Sequence, residues 1–271
     1  PRLTPAQRNL LELLKSPDPQ VLQQGYALLN ALLSEAPLDL QGSITETQEE
    51  IPRLILDIMP WCPEVQIWAL QCGLLQRYLN EGMPMWPFNS LELPDVCILS
   101  QELNGLRFAR CNMPNFHLHN SIMARSSFKN TSLKEARIGH TNLSGSSFFQ
   151  CDLSDSTYTS GTAKATTFDQ CQMSGSGWSG TDFRGSFIMS CDMSKMLFND
   201  CRLDGVTIER SDLSGVVFKR TNLSRAIFKA CNLTNTIFGG CHNFNLPLIH
   251  KSIIGTIHTS YIIFFTVSII Q

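Results

Sequence analysis

From Leu103 to Phe238 every fifth residue is apolar, over 28 consecutive positions and without exception. Only 43% of the chain is apolar, so chance does not produce such a run. Neither a helix, with 3.6 residues per turn, nor a strand, with its alternation of two, has this period. A short unit repeated at fixed spacing cannot bury its own apolar face. It must stack on copies of itself, which makes a solenoid.

A second register supports this reading. Two residues before each apolar centre, 24 of 28 positions are Ala, Cys, Ser, Thr, Gly or Val. The exceptions are Gln101, Leu106, Phe116 and Met196. A large and a small residue that both face inward fill a narrow core at native density. The other three positions of each pentad hold nearly all the charge.

The units Cys151-Asp152-Leu153-Ser154-Asp155, Ser211-Asp212-Leu213-Ser214-Gly215 and Cys231-Asn232-Leu233-Thr234-Asn235 show the motif plainly. This stretch resembles the pentapeptide-repeat family, whose motif is a small residue, Asn or Asp, Leu or Phe, and two variable residues. The resemblance implies a right-handed quadrilateral parallel β-helix with four pentads per coil. The 28 pentads would then form about seven coils. At ~4.8 Å per stacked strand the rod would stand roughly 34 Å tall.

A finer period of ten is superimposed. Leu or Met fills 12 of 14 centres in the 103, 113, 123 series, and aromatics fill 10 of 14 in the 108, 118, 128 series. Four faces per coil place the two series on alternate faces. Phe108, Phe128, Phe148 and Phe168 should form one ring ladder, with Tyr158, Trp178, Phe198, Phe218 and Phe238 facing it.

Residues 1–100 read as an α-helical domain, HEAT-like or capping, so the whole chain is α+β. Leu10, Leu11, Leu13 and Leu14 precede Ser16-Pro17-Asp18-Pro19, where Asp18 is a helix N-cap and Pro19 the first helical residue. A stripe of Val21, Leu22, Leu28, Leu29, Leu32 and Leu33 follows, and Pro63 opens a further helical stretch. The solenoid occupies 101–245. After Cys241 the period fails, and Phe244 stands one residue late. The tail, 246–271, is apolar, and Ser252 to Ile270 carries no formal charge. By length 252–270 is a candidate membrane segment. A cover for the last coil's open strand edges and a homodimer seam are the other readings.

No signal-type apolar run occurs in residues 1–20 and no CxxC occurs anywhere, which favours a cytoplasmic chain with free thiols. Cys111, Cys151, Cys171, Cys191 and Cys231 are separated by multiples of 20 and share their row with Thr131 and Ser211. A metal cluster would not accept Thr and Ser as equals, so these are small core residues. His117, His119 and His140 fall together on the outer surface as solvated side chains. Gly175-Ser176-Gly177 lacks the strand-to-helix context of a phosphate loop. Asn142, Asn222 and Asn232 match a glycosylation acceptor only because the repeat places Asn, Leu and Ser or Thr in that order.

The sequence therefore assigns no catalytic, cofactor-binding or metal-ligating residue, and the expectation is a non-enzymatic module that binds a protein partner. The alternative is a bacterial effector, secreted or membrane-associated through 252–270. The resemblance also implies dimeric rods that protect or inhibit DNA gyrase by mimicking the charge of DNA. That activity wants an acidic rod. Here 101–245 carry 15 basic and 11 acidic residues, which disfavours mimicry. The bases are interleaved with acids and lack outward aromatics, so direct nucleic-acid binding is disfavoured too.

Overall fold

A computed structural model describes residues 88–241 continuously, scattered positions between Asn9 and Leu70, and the backbone of three short strands beyond 247. The chain divides into two compact units, Pro1–Gly82 and Met83–Gln271.

In the first unit helical residues appear at 19–21 and 23–25. The Asp18 carboxylate accepts the Gln20 N–H at 2.9 Å, which is the N-cap the sequence predicts. The remaining helical readings, including the HEAT-like stack and the stretch after Pro63, lie almost wholly outside the described residues.

The second unit is a parallel β-solenoid of about eight turns. Among the described residues, strands of two or three residues form a ten-stranded and a nine-stranded sheet, each joining every second strand of the chain. The ten-stranded sheet runs from Phe88–Asn89 through Ile227–Lys229 and beyond, and the nine-stranded sheet begins at Cys97–Leu99. Between them, single bridges such as Asp152↔Gln172 and Thr162↔Asp182 make the other two faces. Partners lie 20 residues apart, as in Phe128↔Phe148 and Trp178↔Phe198.

Every pentad centre from Phe88 to Phe238 is buried. The Leu- and Met-rich series of centres lies on the two bridge faces, with Phe183 among them, and the aromatic-rich series on the two sheets, with Leu118 among them, as the ten-residue period requires. Phe88, Phe108, Phe128, Phe148 and Phe168 stack with centroids 4.7–5.0 Å apart. On the opposite sheet Tyr158, Trp178 and Phe198 meet edge to face, and Phe198, Phe218 and Phe238 stack at 5.1 Å. Each ring removes enough apolar surface to contribute ~2–3 kcal/mol, so these ladders carry much of the rod's stability.

The corners have one backbone rule. Every residue numbered by a multiple of five from Ser90 to Gly240 has φ between 47° and 74°. None of them is β-branched or Pro, the types this conformation tolerates least. The motif's Asn or Asp braces the same corner, since Asp152, Asp192, Asp212 and Asn232 each accept the N–H of the residue two further on. These are Asx turns.

Two boundaries differ from expectation. The solenoid begins before residue 101, because Phe88, Leu93 and Ile98 already occupy buried centres. Bulky Leu91 at a small position hides the start of the repeat in the sequence. At the other end, Leu248–His250, His258–Thr259 and Ile269–Ile270 continue the two sheets. Ile227 pairs with Leu248 and Ile237 with His258, so the register there is 21 and the chain gains one residue after Gly239. The late Phe244 in the sequence is the trace of that insertion. Among the described residues no helix is long and apolar enough to cross a membrane.

Candidate interaction surface

The inward side chains of the described coils support the backbone. Cys111, Cys151, Cys171 and Cys231 each donate S–H toward the carbonyl 23 residues earlier. Thr221 and Thr141, at the equivalent inward position of the opposite corner, donate to the carbonyl at the same offset. Thiol and hydroxyl are thus interchangeable supports for the coil. Burial pushes the Cys111 and Cys231 thiols up and Cys201 to about 11, so they stay protonated and unreactive at neutral pH. Among the described residues the cysteines are free, and no group of three or more His, Cys, Asp or Glu could hold a metal ion. Ser176 of the Gly-Ser-Gly run is buried and donates to the Leu153 carbonyl at 2.7 Å. Asn142 and Asn222 accept the N–H groups of Ser144 and Ser224 in their own corners.

On the outer faces, side chains flanking each centre form columns one coil apart. On the bridge face through Asp182 the charges are paired. Burial alone would raise the Asp182 carboxyl, but two-point contact with the Arg184 guanidinium at 2.7–3.1 Å holds it below the usual range. Arg202 pairs with Asp204 at 3.3 Å, and Arg220 with Asp200 at 2.6 Å. On the ten-stranded sheet Glu209 takes both Arg210 and Lys229, and Lys129 lies 5.9 Å above the Phe149 ring. Phe187 stands half exposed beside them.

The nine-stranded sheet differs near its start. Its outward columns read Leu99, His119, Gly139, Thr159 and His117, Arg137, Thr157. With no side chain at Gly139, a notch of about 240 Å³ opens there, lined by these residues and Ile138. The His119 ring lies over the gap: a Cβ on Gly139 would come within 2.6 Å of its Nδ1. His140 meets His119 edge-on, with centroids 5.2 Å apart. The sequence brings the three histidines together, and the structure does so too. What the sequence reading missed is Gly139, whose signal is its register: it falls 20 residues after His119 and 20 before Thr159.

Eight copies of the pentapeptide-repeat family model match residues 201–240. A comparison with curated proteins returns no match. Among solved structures, the chain is similar to HetL, a pentapeptide repeat protein involved in heterocyst differentiation regulation from the cyanobacterium Nostoc sp. strain PCC 7120. Identity is 15% and the TM-score 0.34, over 69% of this chain and 93% of HetL. A trypsin-treated form of QnrB1, a plasmid-mediated fluoroquinolone resistance protein, matches at 14% identity and a TM-score of 0.35, covering 62% of this chain and 82% of its own. Rfr23, a pentapeptide repeat protein from the cyanobacterium Cyanothece 51142, matches at 17% identity and a TM-score of 0.21, over 54% and 89%.

Proposed function

We propose that this pentapeptide-repeat chain is a non-enzymatic interaction module whose solenoid presents its outer faces to a protein partner. The observation that carries the reading is the division of labour within each pentad. Two of five positions fill the core, one is fixed in a left-handed corner, and only the positions flanking the centre are free to vary. Variation there changes the surface without disturbing the coil, which is what a recognition scaffold needs. Catalysis wants a concave pocket holding convergent titratable groups. The filled core offers a scaffold instead.

The mild positive balance of the rod also argues against DNA mimicry. Its motif acids Asp152, Asp192 and Asp212 are tied into their own turns rather than displayed as a phosphate-like row.

The test is co-purification of the full chain, followed by size-exclusion chromatography of any complex. A stoichiometric protein complex is expected, burying at least ~1,200 Å². Exchanging outward residues such as Lys129→Asp or Phe187→Ser should weaken it while leaving the cooperative thermal transition in place. If surface exchanges on every face leave the complex intact while only core-disrupting ones abolish it, the outer-face reading fails.

A further inference from the structure

The notch over Gly139 stands apart from the rest of the outer surface in its chemistry. Its lining offers hydrogen-bond donors on several sides: the Arg137 guanidinium, the His117 and His119 imidazoles, and the Thr157 and Thr159 hydroxyls. No carboxylate lines it. Arg184, Arg202, Arg210 and Arg220 are each paired with a carboxylate. Arg137 makes no ion pair among the described residues, and its exposed strand position aims it into solvent beside the gap. Leu99, 57% exposed, supplies an apolar rim.

Three features make this a built site rather than a chance depression. Gly139 supplies the floor, where a Cβ would push against the His119 ring. His140 braces that ring from the side. The two threonines come from the next coil at matched Cα register, so the donors converge across three adjacent strands.

We infer that the notch recognises a single carboxylate side chain, flanked by an apolar residue, on the protein partner. An unpaired guanidinium with neighbouring hydroxyl and imidazole donors is matched to a carboxylate oxygen pair. The corner just before these strands carries Asp95, Glu135 and Asp155, exposed beside the notch but outside its lining. With those acids nearby the local field does not favour a dianion or a run of phosphates, and one monoanion is the better charge match. Leu99 is placed to take the adjoining apolar side chain. The inference rests on the proposed protein-binding role and gives it a site.

The experiment uses the ¹H–¹⁵N spectrum of the full chain, titrated with acetyl-Glu-Leu-amide, with its Gln analogue and with inorganic phosphate. Saturable shifts of the His119, Gly139 and Thr159 amides are expected for the Glu probe, with a dissociation constant of about 1 mM, as suits one charged anchor. Arg137→Gln should weaken binding ten- to a hundredfold, the loss of a charge-assisted bond. Gly139→Ala should weaken it by displacing His119, and Arg225→Gln, more than four coils away, should leave it unchanged. Equal binding of the Gln analogue, tighter binding of phosphate, or no saturable shift up to about 10 mM overturns the proposal. If the co-purified complex survives both notch substitutions, the notch is wrong while the interaction module stands. If the dipeptide binds but no protein does, the module reading fails while the notch chemistry stands.

Discussion

The two halves of the rod solve the same packing problem with opposite hands. From Phe88 to Phe168 the rings line the ten-stranded sheet, and the nine-stranded sheet across the core holds Ile98, Leu118 and Ile138. From Tyr158 onward the rings line the nine-stranded sheet, and the facing centres become Ile188 and Ile208, until Phe228 returns a ring to the ten-stranded sheet, edge-on to Phe218 and Phe238. Away from the crossover and from Phe228, each coil has about one ring on one side and an aliphatic residue on the other. Where the ladders overlap, Tyr158, Phe168, Trp178 and Phe183 crowd together, with Trp178 and Phe183 centroids 4.4 Å apart. The same coils hold the smallest residues in both inward registers, Gly161 and Ala163. Volume is conserved along the rod, and the crossover is where it is exchanged.

The largest effect should come from breaking a ladder outright. Phe148→Asp places a carboxylate between Phe128 and Phe168, with no partner in an apolar column. Burying it costs several kcal/mol, and the cooperative thermal transition should be lost in circular dichroism. Lys129→Asp, on an outward position, should melt within a few degrees of the parent. Equal melting of the two would refute the register.

The crossover is tested next. A Cβ at Gly161 would meet the Tyr158 ring and come within 2.6 Å of the Thr141 carbonyl oxygen, which is backbone and cannot give way. Tyr158 is itself fixed, since its hydroxyl donates toward the Thr141 and Thr162 carbonyls at 2.9 Å. Gly161→Ala should therefore cost about 2–3 kcal/mol in urea unfolding, as overpacking does. Thr141→Ala, one coil earlier in the same row, loses a hydrogen bond and a buried methyl group and should cost about 1–2 kcal/mol. A smaller loss at Gly161 than at Thr141 would show that the crossover is not tightly packed.

Volume conservation makes a coupled prediction. Phe128→Ile should leave a gap and Ile138→Phe should overfill the same coil, each costing about 1–3 kcal/mol. Together they move the ring across the core, as the chain itself does after Phe168. The double variant should be at least about 1 kcal/mol more stable than the sum of the two losses. Strict additivity would mean that the two sheets do not share the space.

Much of this was legible in the sequence because each pentad position has one job. The centres, the small positions and the alternation of Leu or Met with aromatics locate the core residue by residue. Even the two exceptions to the Leu and Met series, Ala163 and Phe183, are informative, being neighbours on one face that trade volume. The opening coil escaped because Leu91 is large where the repeat wants a small residue, and a pattern read from composition starts where composition becomes regular. The register shift before Leu248 was visible only as a late Phe244. The notch was harder still. Its histidines could be grouped by coil spacing, but its floor is an absent side chain, which gains meaning only once His119 is seen lying across it.

The smallest predicted effect concerns the corners, which the two halves share. Ala165 holds φ at 52°, where an L-residue brings Cβ against the carbonyl oxygen, at a cost of about 1–2 kcal/mol. Gly has no such contact but loses more backbone freedom on folding, about 0.5–1 kcal/mol relative to Ala. The balance favours Gly, so Ala165→Gly should stabilise the rod by up to about 1 kcal/mol in urea unfolding. Ala136 is buried at a small inward position and lies outside the set of left-handed corners. There both the lost methyl contact and the added freedom act against folding, and Ala136→Gly should cost about 1 kcal/mol or slightly more. Opposite signs for one substitution, 29 positions apart along a uniform rod, are what the corner rule requires. If both variants lose stability, the left-handed corners carry no strain and the repeat's preference for Gly, Asn and Asp there needs another cause.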